Sequence, residues 1–353
     1  MEGIGVNYFI TLYYDNKEMN LDELENIDSE KMFKTYDLWP DIAKQSYEKE
    51  FSRPELKDID HVVFAGMGGS GTIGDVFSSI LSKNDIHTSV VKGYLLPKTV
   101  DSNTLVVVTS ISGHTNETLT ILENSLKTKA KIIALSSGGK MEEILSNNRI
   151  PYFKVNQTHS PRASFVQFLY STLNILQEFT PIKKTDVSES LFQLKNIQKQ
   201  ISSSNLTSEN PALNLAKWIT NIPVVYYPAG LQSAAIRFKN SMQENAKNHI
   251  VTEDVIEACH NGIVAWEKSS ELQPILIQGK DDHMKTKERW KILKEFFRTE
   301  NIEYEQVFSI DGNILTKLVC LIYFLDYTSI YRAVLSKIDP SPVNSIDYIK
   351  KRL

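Results

Sequence analysis

The sequence predicts an α/β protein of two αβα sandwich domains, each with a mainly parallel sheet flanked by helices. Three observations carry that reading. Short unbroken runs rich in β-branched residues recur, as at 62–65, 104–109 and 131–135, and most end in a Gly- or Ser-rich turn that opens a helical stretch. A strand covered on both faces reads as a continuous apolar run, and the helices between such runs are the crossovers of a parallel sheet. The pattern also restarts near residue 209, and 353 residues is about twice the length of a typical domain.

Taken in order, the first 18 residues show no partner pattern, and 21–51 reads as charged, loosely amphipathic helices. Residues 1–45 are expected to form an N-terminal extension with helices, and 46–182 the first domain. Strands are expected there at 62–65, 89–94, 104–109, 131–135 and 152–155, with an apolar helix over 163–179. The polar stretch 183–208, helical in parts, is expected to connect the domains. The second domain, 209–353, opens on Asn210 and Pro211, a cap residue followed by proline at the first helical position. Strands are expected at 223–227, 250–252, 273–278 and 304–309, and helices at 231–247, 283–299 and 314–335. The likeness of 62–74 to 224–234 suggests a distant structural repeat.

Charge and composition narrow the function classes. With 39 Lys and Arg against 43 Asp and Glu, the formal net charge is -4, so no global basic field invites nucleic acid. No uninterrupted apolar stretch approaches the roughly 20 residues that span a bilayer, and the N-terminus lacks a signal-peptide layout, so no membrane partner is expected. The two cysteines, Cys259 and Cys320, are far apart and lack metal-ligand spacing. A reducing cytoplasm is the expected compartment.

Two strand-to-helix turns suit phosphate. At 66–71 the run Gly-Met-Gly-Gly-Ser-Gly lets the backbone approach an anion at a helix start, with Gly68, Gly69 and Ser70 as candidate ligands. The run superficially resembles a dinucleotide fingerprint, but no Asp or Glu ends the next expected strand, where a ribose ligand belongs. At 110–118, Ser110, Ser112 and Thr115 place three hydroxyls within six positions, where they can surround phosphate oxygens without burying several cations. The bland alternative is a well-capped helix start, since Ser and Thr are favoured there. Two such turns at the ends of parallel strands favour an anion site, because ligands collect at that edge. No P-loop lysine is present, which points to a small phosphate ester.

These two turns look like the signatures of sugar isomerase (SIS) domains. Together with Ser160-Pro-Arg-Ala163, Gln243-Glu-Asn-Ala-Lys247 and His260-Asn261, they resemble the bifunctional phosphoglucose/phosphomannose isomerases, in order from about residue 21 to the C-terminus. The resemblance implies two SIS-type domains and a hexose 6-phosphate substrate. It implies isomerisation of glucose 6-phosphate, and mannose 6-phosphate, to fructose 6-phosphate through ring opening and a cis-enediolate.

The resemblance also distributes roles. Glu244 is the carboxylate that moves a proton between C1 and C2; by itself it would read as an exposed helix glutamate. His260 opens the ring, near neutral pH, and reaches the site of a neighbouring subunit, which implies an obligate homodimer. Arg162 stabilises the enediolate and orients Glu244. Its bland reading, a solvent-facing arginine at a helix start, is disfavoured by the helix dipole. Lys350 matches a C-terminal lysine that assists ring opening, although a frayed basic helix end is the plain alternative. Ser341 is the nearest candidate for the small hydroxyl that gates epimer choice. Departures from the family pattern are His114 for an Asn, Gln243 for an Asn, Cys259 for an Asn and Gly262 for a Glu.

The histidines are scattered, with no His or Cys spacing for zinc, so metal-free proton transfer with no cofactor is the expectation. A sugar-phosphate-sensing regulator would not need Glu244, His260 and Arg162, and no helix-turn-helix or basic arm is legible. An amidotransferase-related isomerase half would follow a glutaminase domain with an N-terminal cysteine, and none precedes the first turn.

Overall fold

The structure is a computed structural model that describes residues 19–352. The expectation for the first 18 residues lies outside those described. The chain divides into two compact units: residues up to Asp37 together with those from Gln193 onward, and Leu38–Phe192. Two short helices come first, α1 (Leu21–Ile27) and α2 (Met32–Asp37), both in the discontinuous unit. Asn20 starts α1 by accepting the Glu23 N–H at 2.8 Å.

Unit Leu38–Phe192 runs α3 (Trp39–Glu48), β1 (His61–Ala65), α4 (Gly68–Leu81), β2 (His87–Val91), β3 (Thr104–Ser110) and α5 (Asn116–Ser125). It continues with β4 (Lys131–Ser136), α6 (Gly139–Asn148), β5 (Tyr152–Lys154) and α7 (Phe165–Ile175). All its strand pairs are parallel, in the order β2-β1-β3-β4-β5. Every residue of β1 and β3 is buried, as continuous apolar runs require. On one face Val63, Val106, Val108 and Ala134 pack with Leu119 and Leu122 of α5 and Met141 and Leu145 of α6. Elsewhere in this unit Phe64 stacks on Phe77 at 5.1 Å, and the Trp39 indole donates to the Ala163 carbonyl at 3.1 Å.

The polar stretch after α7 forms a single 18-residue helix, α8 (Lys184–Ile201), within which the unit division falls. Val187, Ser190, Leu194, Ile197 and Ile201 are buried at three- and four-residue spacing, a narrow stripe under a polar surface.

The discontinuous unit continues with α9 (Pro211–Trp218), β6 (Pro223–Tyr227), α10 (Gln232–Asn245), β7 (Val251–Asp254), α11 (Val255–Ala258) and a 3-10 turn, Gly262–Glu267. Then follow β8 (Gln273–Gln278), α12 (Met284–Thr299), β9 (Glu305–Phe308), α13 (Ile314–Leu335) and α14 (Asn344–Lys350). Asn210 caps α9, accepting the Ala212 and Leu213 N–H groups at 3.0 Å each. This sheet is also wholly parallel, ordered β7-β6-β8-β9. Its first strand lies between its second and third, the order found in the other sheet. Val224, Tyr226, Leu276, Trp290, Leu293 and Phe297 form one core, with the Trp266 indole donating to the Tyr226 hydroxyl at 2.8 Å. Each fully buried side chain of this size contributes about 1.5–3 kcal/mol.

Helix α13 packs against α9, α10, α1 and α2. It has the length and hydropathy of a membrane span, yet 89% of its apolar window is buried inside the protein. The expectation that no uninterrupted apolar stretch approaches span length stands, because charged residues break the run in this helix. Lys317, Asp326 and Arg332 interrupt the apolar run, and the burial is that of a core helix.

Candidate active site

In unit Leu38–Phe192, β1 and β3 are neighbours whose carboxyl ends lie side by side, with Ala65 paired to Val108. β1 continues to β2 on one flank while β3 lies on the other, so the strand order reverses between them, where crevices form in such sheets. The turn after β1 is tight. A side chain at Gly66 would press within 2.8 Å of the Ser70 backbone, and Gly68 has φ +52. Met67, the residue before α4, makes no side-chain cap, so the first N–H groups of that helix are left for another acceptor. Ser70 is buried and its Oγ accepts the Ile111 N–H at 3.4 Å, which links the two turns.

In the turn after β3, the Ser110 hydroxyl donates to Thr115 Oγ1 at 3.0 Å and accepts the Gly113 N–H at 3.1 Å. Ser112 Oγ accepts the His114 N–H at 3.3 Å. Gly113 has φ +70, and a Cβ there would be driven into the Gly138 carbonyl oxygen. Thr115 precedes α5 yet makes no side-chain cap, its hydroxyl being turned to Ser110. Ser70, Ser110, Ser112 and Thr115 are thus gathered at two helix starts that no side chain caps, with Gly68 and Gly69 opening the first. His114 lies at the rim, exposed, with its ring against Gly139.

Arg162 sits in the turn before α7 and is only 5% exposed. That turn is tied by Ser164, whose Oγ donates to the Thr158 carbonyl at 2.7 Å and the Ser160 carbonyl at 2.9 Å. A guanidinium so buried is no solvent-facing helix-start arginine.

In the discontinuous unit, Glu244 lies half-buried on the last turn of α10. Arg237, Ser241 and Asn245, spaced four apart, face α13. Arg237 Nη2 donates to Asp326 Oδ2 at 2.7 Å, Ser241 Oγ to Asp326 Oδ1 at 2.5 Å, and Asn245 Nδ2 to Ser329 Oγ at 2.8 Å. The Tyr36 hydroxyl donates to Asp326 Oδ2 at 3.1 Å. Burial alone would depress Arg237, but the Asp326 carboxylate raises it further, so the guanidinium stays charged.

Lys247 follows α10 with φ +53, and its Nζ donates to the Glu244 carbonyl at 2.7 Å and the Asp339 carbonyl at 3.2 Å. Ser341 is buried, with its Oγ donating to Asp28 Oδ1 at 3.3 Å. Burial pushes the Asp28 carboxyl up, against hydrogen bonds from the Phe33 and Met32 backbone that lower it.

His260 is exposed in the turn after α11, which Asp254 caps by accepting the Ile256 N–H at 2.8 Å. A Cβ at Gly262 would meet the Glu253 carboxylate, the far end of a flexible side chain that would have to shift aside. Lys350 ends the exposed α14. Among the described residues, neither the His260 imidazole nor the Lys350 ammonium makes a side-chain hydrogen bond to Glu244. No group of three or more His, Cys, Asp or Glu side chains is placed to hold a metal ion among those residues.

Sequence reasoning assigned no role to Asp326, Tyr36, Asp28 or Lys247. The available signal was Asp326, a carboxylate inside an otherwise apolar helix, since such residues are seldom buried unless paired.

Residues 55–148 match the SIS domain family, and residues 208–353 match the bacterial phospho-glucose isomerase C-terminal SIS domain. The protein is therefore one of tandem SIS domains. A bifunctional phosphoglucose/phosphomannose isomerase of Caldicellulosiruptor bescii is 29% identical over 91% of this chain and 98% of its own length. Another, of Thermoplasma acidophilum, is 29% identical over 84% of this chain and 90% of its own. Over most of its length the chain is thus similar to bifunctional phosphoglucose/phosphomannose isomerases. Its fold is shared by a crystal structure of a hypothetical protein from Thermus thermophilus, with TM-score 0.71 and 12% identity over 93% of this chain and 92% of that one.

Proposed function

We infer that this protein is an aldose–ketose isomerase that interconverts glucose 6-phosphate, and mannose 6-phosphate, with fructose 6-phosphate. The observation that carries the reading is the pair of helix starts, α4 and α5, that no side chain caps and that Ser70, Ser110, Ser112 and Thr115 surround. Their N–H groups and hydroxyls suit a phosphate ester. The C6 phosphate anchors the sugar there, through these groups and Gly68 and Gly69.

Glu244 takes the C2 proton of the open-chain aldose and returns it to C1, reversing the order in the other direction. Its half-burial on a braced helix end supports that role. Arg162 supplies positive charge to the enediolate oxygens, and its burial keeps that charge from being dispersed by water. His260 and Lys350 open the ring by proton transfer. His260 serves the site of a neighbouring copy in a homodimer, consistent with its exposure and its lack of a side-chain bond to Glu244. Proton transfer by these groups requires no metal or other cofactor. Ser341 remains the candidate for epimer choice.

The test is to incubate purified protein with glucose 6-phosphate, then mannose 6-phosphate, with EDTA present, and to follow fructose 6-phosphate. Turnover of both is expected; turnover of neither sinks the enzyme reading, and turnover of glucose 6-phosphate alone removes the second substrate. A Glu244→Gln variant should lose isomerisation while still binding the phosphate ester; unaltered turnover would dispose of its assigned role.

A further inference from the structure

We propose that Lys247 is a positioning residue, which fixes the last turn of α10 and so places the Glu244 carboxylate for proton transfer. The proposal rests on the isomerase reading above and concerns a residue to which that reading gives no part.

Lys247 holds a backbone conformation, φ +53, that favours glycine or asparagine at this place after a helix. A lysine there calls for something that holds it. Its ammonium has three protons and faces four carbonyl oxygens: Glu244 at 2.7 Å, Asp339 at 3.2 Å, Pro340 at 3.3 Å and Asn245 at 3.4 Å. Two of these belong to the last turn of α10, whose terminal carbonyls lack partners within the helix and carry its negative dipole end. The other two lie more than ninety residues on, in the segment before Ser341.

That segment is itself anchored from its far side. Ser29 Oγ donates to Asp339 Oδ2 at 2.6 Å, the Ser341 N–H to Asp339 Oδ1 at 3.0 Å, and Ser341 Oγ to the buried Asp28. Asp28 is fixed in turn by the Phe33 N–H at 2.9 Å. The ammonium therefore ties the residue proposed to move the proton to a braced loop. The bonds from Arg237, Ser241 and Asn245 fix only the face of α10 that meets α13. Proton transfer at carbon depends steeply on placement, and a shift of about 1 Å can cost a factor of about a hundred.

Lys247→Gly tests this without threatening the turn, because glycine takes a left-handed conformation more readily than lysine. We expect kcat to fall by at least about tenfold with KM within about twofold of wild type and no decrease in the unfolding midpoint. Lys247→Met should lose kcat similarly, and Lys247→Arg, which keeps the donors, should recover most of it. Wild-type kcat in both the Gly and Met variants would overturn the proposal. So would a loss shared between kcat, KM and the unfolding midpoint, which would mark a residue that only holds the fold. Wild-type protein inert toward both hexose phosphates would instead sink the isomerase reading, and this proposal with it.

Discussion

An Asp326→Asn substitution exchanges one oxygen for nitrogen at constant volume, so its cost reports charge and hydrogen bonding alone. The site is unforgiving. The side chains of Arg237 and Asp326 are 2% and 0% exposed, and the carboxylate accepts from Arg237, Ser241 and Tyr36. Neutralising it leaves a buried guanidinium without its counter-charge and places an amide among three donors. Breaking such a pair costs about 3–5 kcal/mol, a large share of the roughly 5–15 kcal/mol that holds a domain folded. Urea unfolding followed by tryptophan fluorescence would read it, since Trp218, Trp266 and Trp290 lie in the same unit. The loss should also be nearly independent of salt, because ions do not screen a buried pair. Replacing both partners, as in Arg237→Met with Asp326→Leu, removes the orphaned charge and should recover much of the loss. A cost below about 1 kcal/mol for Asp326→Asn, or a double variant as unstable as the two single losses added together, would refute the reasoning.

Two further outcomes follow from the site and its surroundings. Burial pushes the Glu305 carboxyl from its ordinary 4.5 up to about 7, so between those values the folded state keeps a proton that the unfolded state has lost. Stability from this group is therefore present below pH 4.5 and is lost as pH rises through 7; Glu305→Gln should gain roughly 2–4 kcal/mol relative to wild type between pH 4.5 and pH 8, and an equal difference at both pH values in urea titrations would contradict this. If His260 acts across a dimer, Glu244→Gln and His260→Asn variants should each be inactive, yet their equimolar mixture, after subunit exchange, should regain about a quarter of wild-type turnover. A mixture that stays inactive despite exchange shown by mass spectrometry would argue against the shared site.

Much of the fold was legible because its strands are apolar on both faces. The runs at 223–227 and 273–278 and the helix at 314–335 coincide with β6, β8 and α13. The edge strand β2 lies earlier than expected, at His87–Val91, because register with β1 sets its length and the polar His87, Thr88 and Ser89 weaken the apolar signal. Helix α8 read as a connector because its buried stripe is narrow beneath a polar surface. The two turns proposed to hold phosphate were visible because their residues are contiguous. The Lys247 cage and the Asp28 clasp were not, since their partners lie 92 to 313 residues apart and no local pattern announces them.

The two sheets share a strand order, yet their turns have opposite appetites for anions. After β3 the turn gathers the Ser110, Ser112 and Thr115 hydroxyls and holds no carboxylate of its own. After β8 the chain supplies its own: the Asp282 carboxylate accepts the Gly279 N–H at 3.1 Å and the Trp290 indole N–H at 2.9 Å. His283 then caps α12, accepting the Lys285 N–H at 3.1 Å. A phosphate arriving at that second turn would meet like charge and donors already engaged. One architecture used twice therefore leaves at most one of these two turns open to the proposed phosphate, because a resident carboxylate plugs the other.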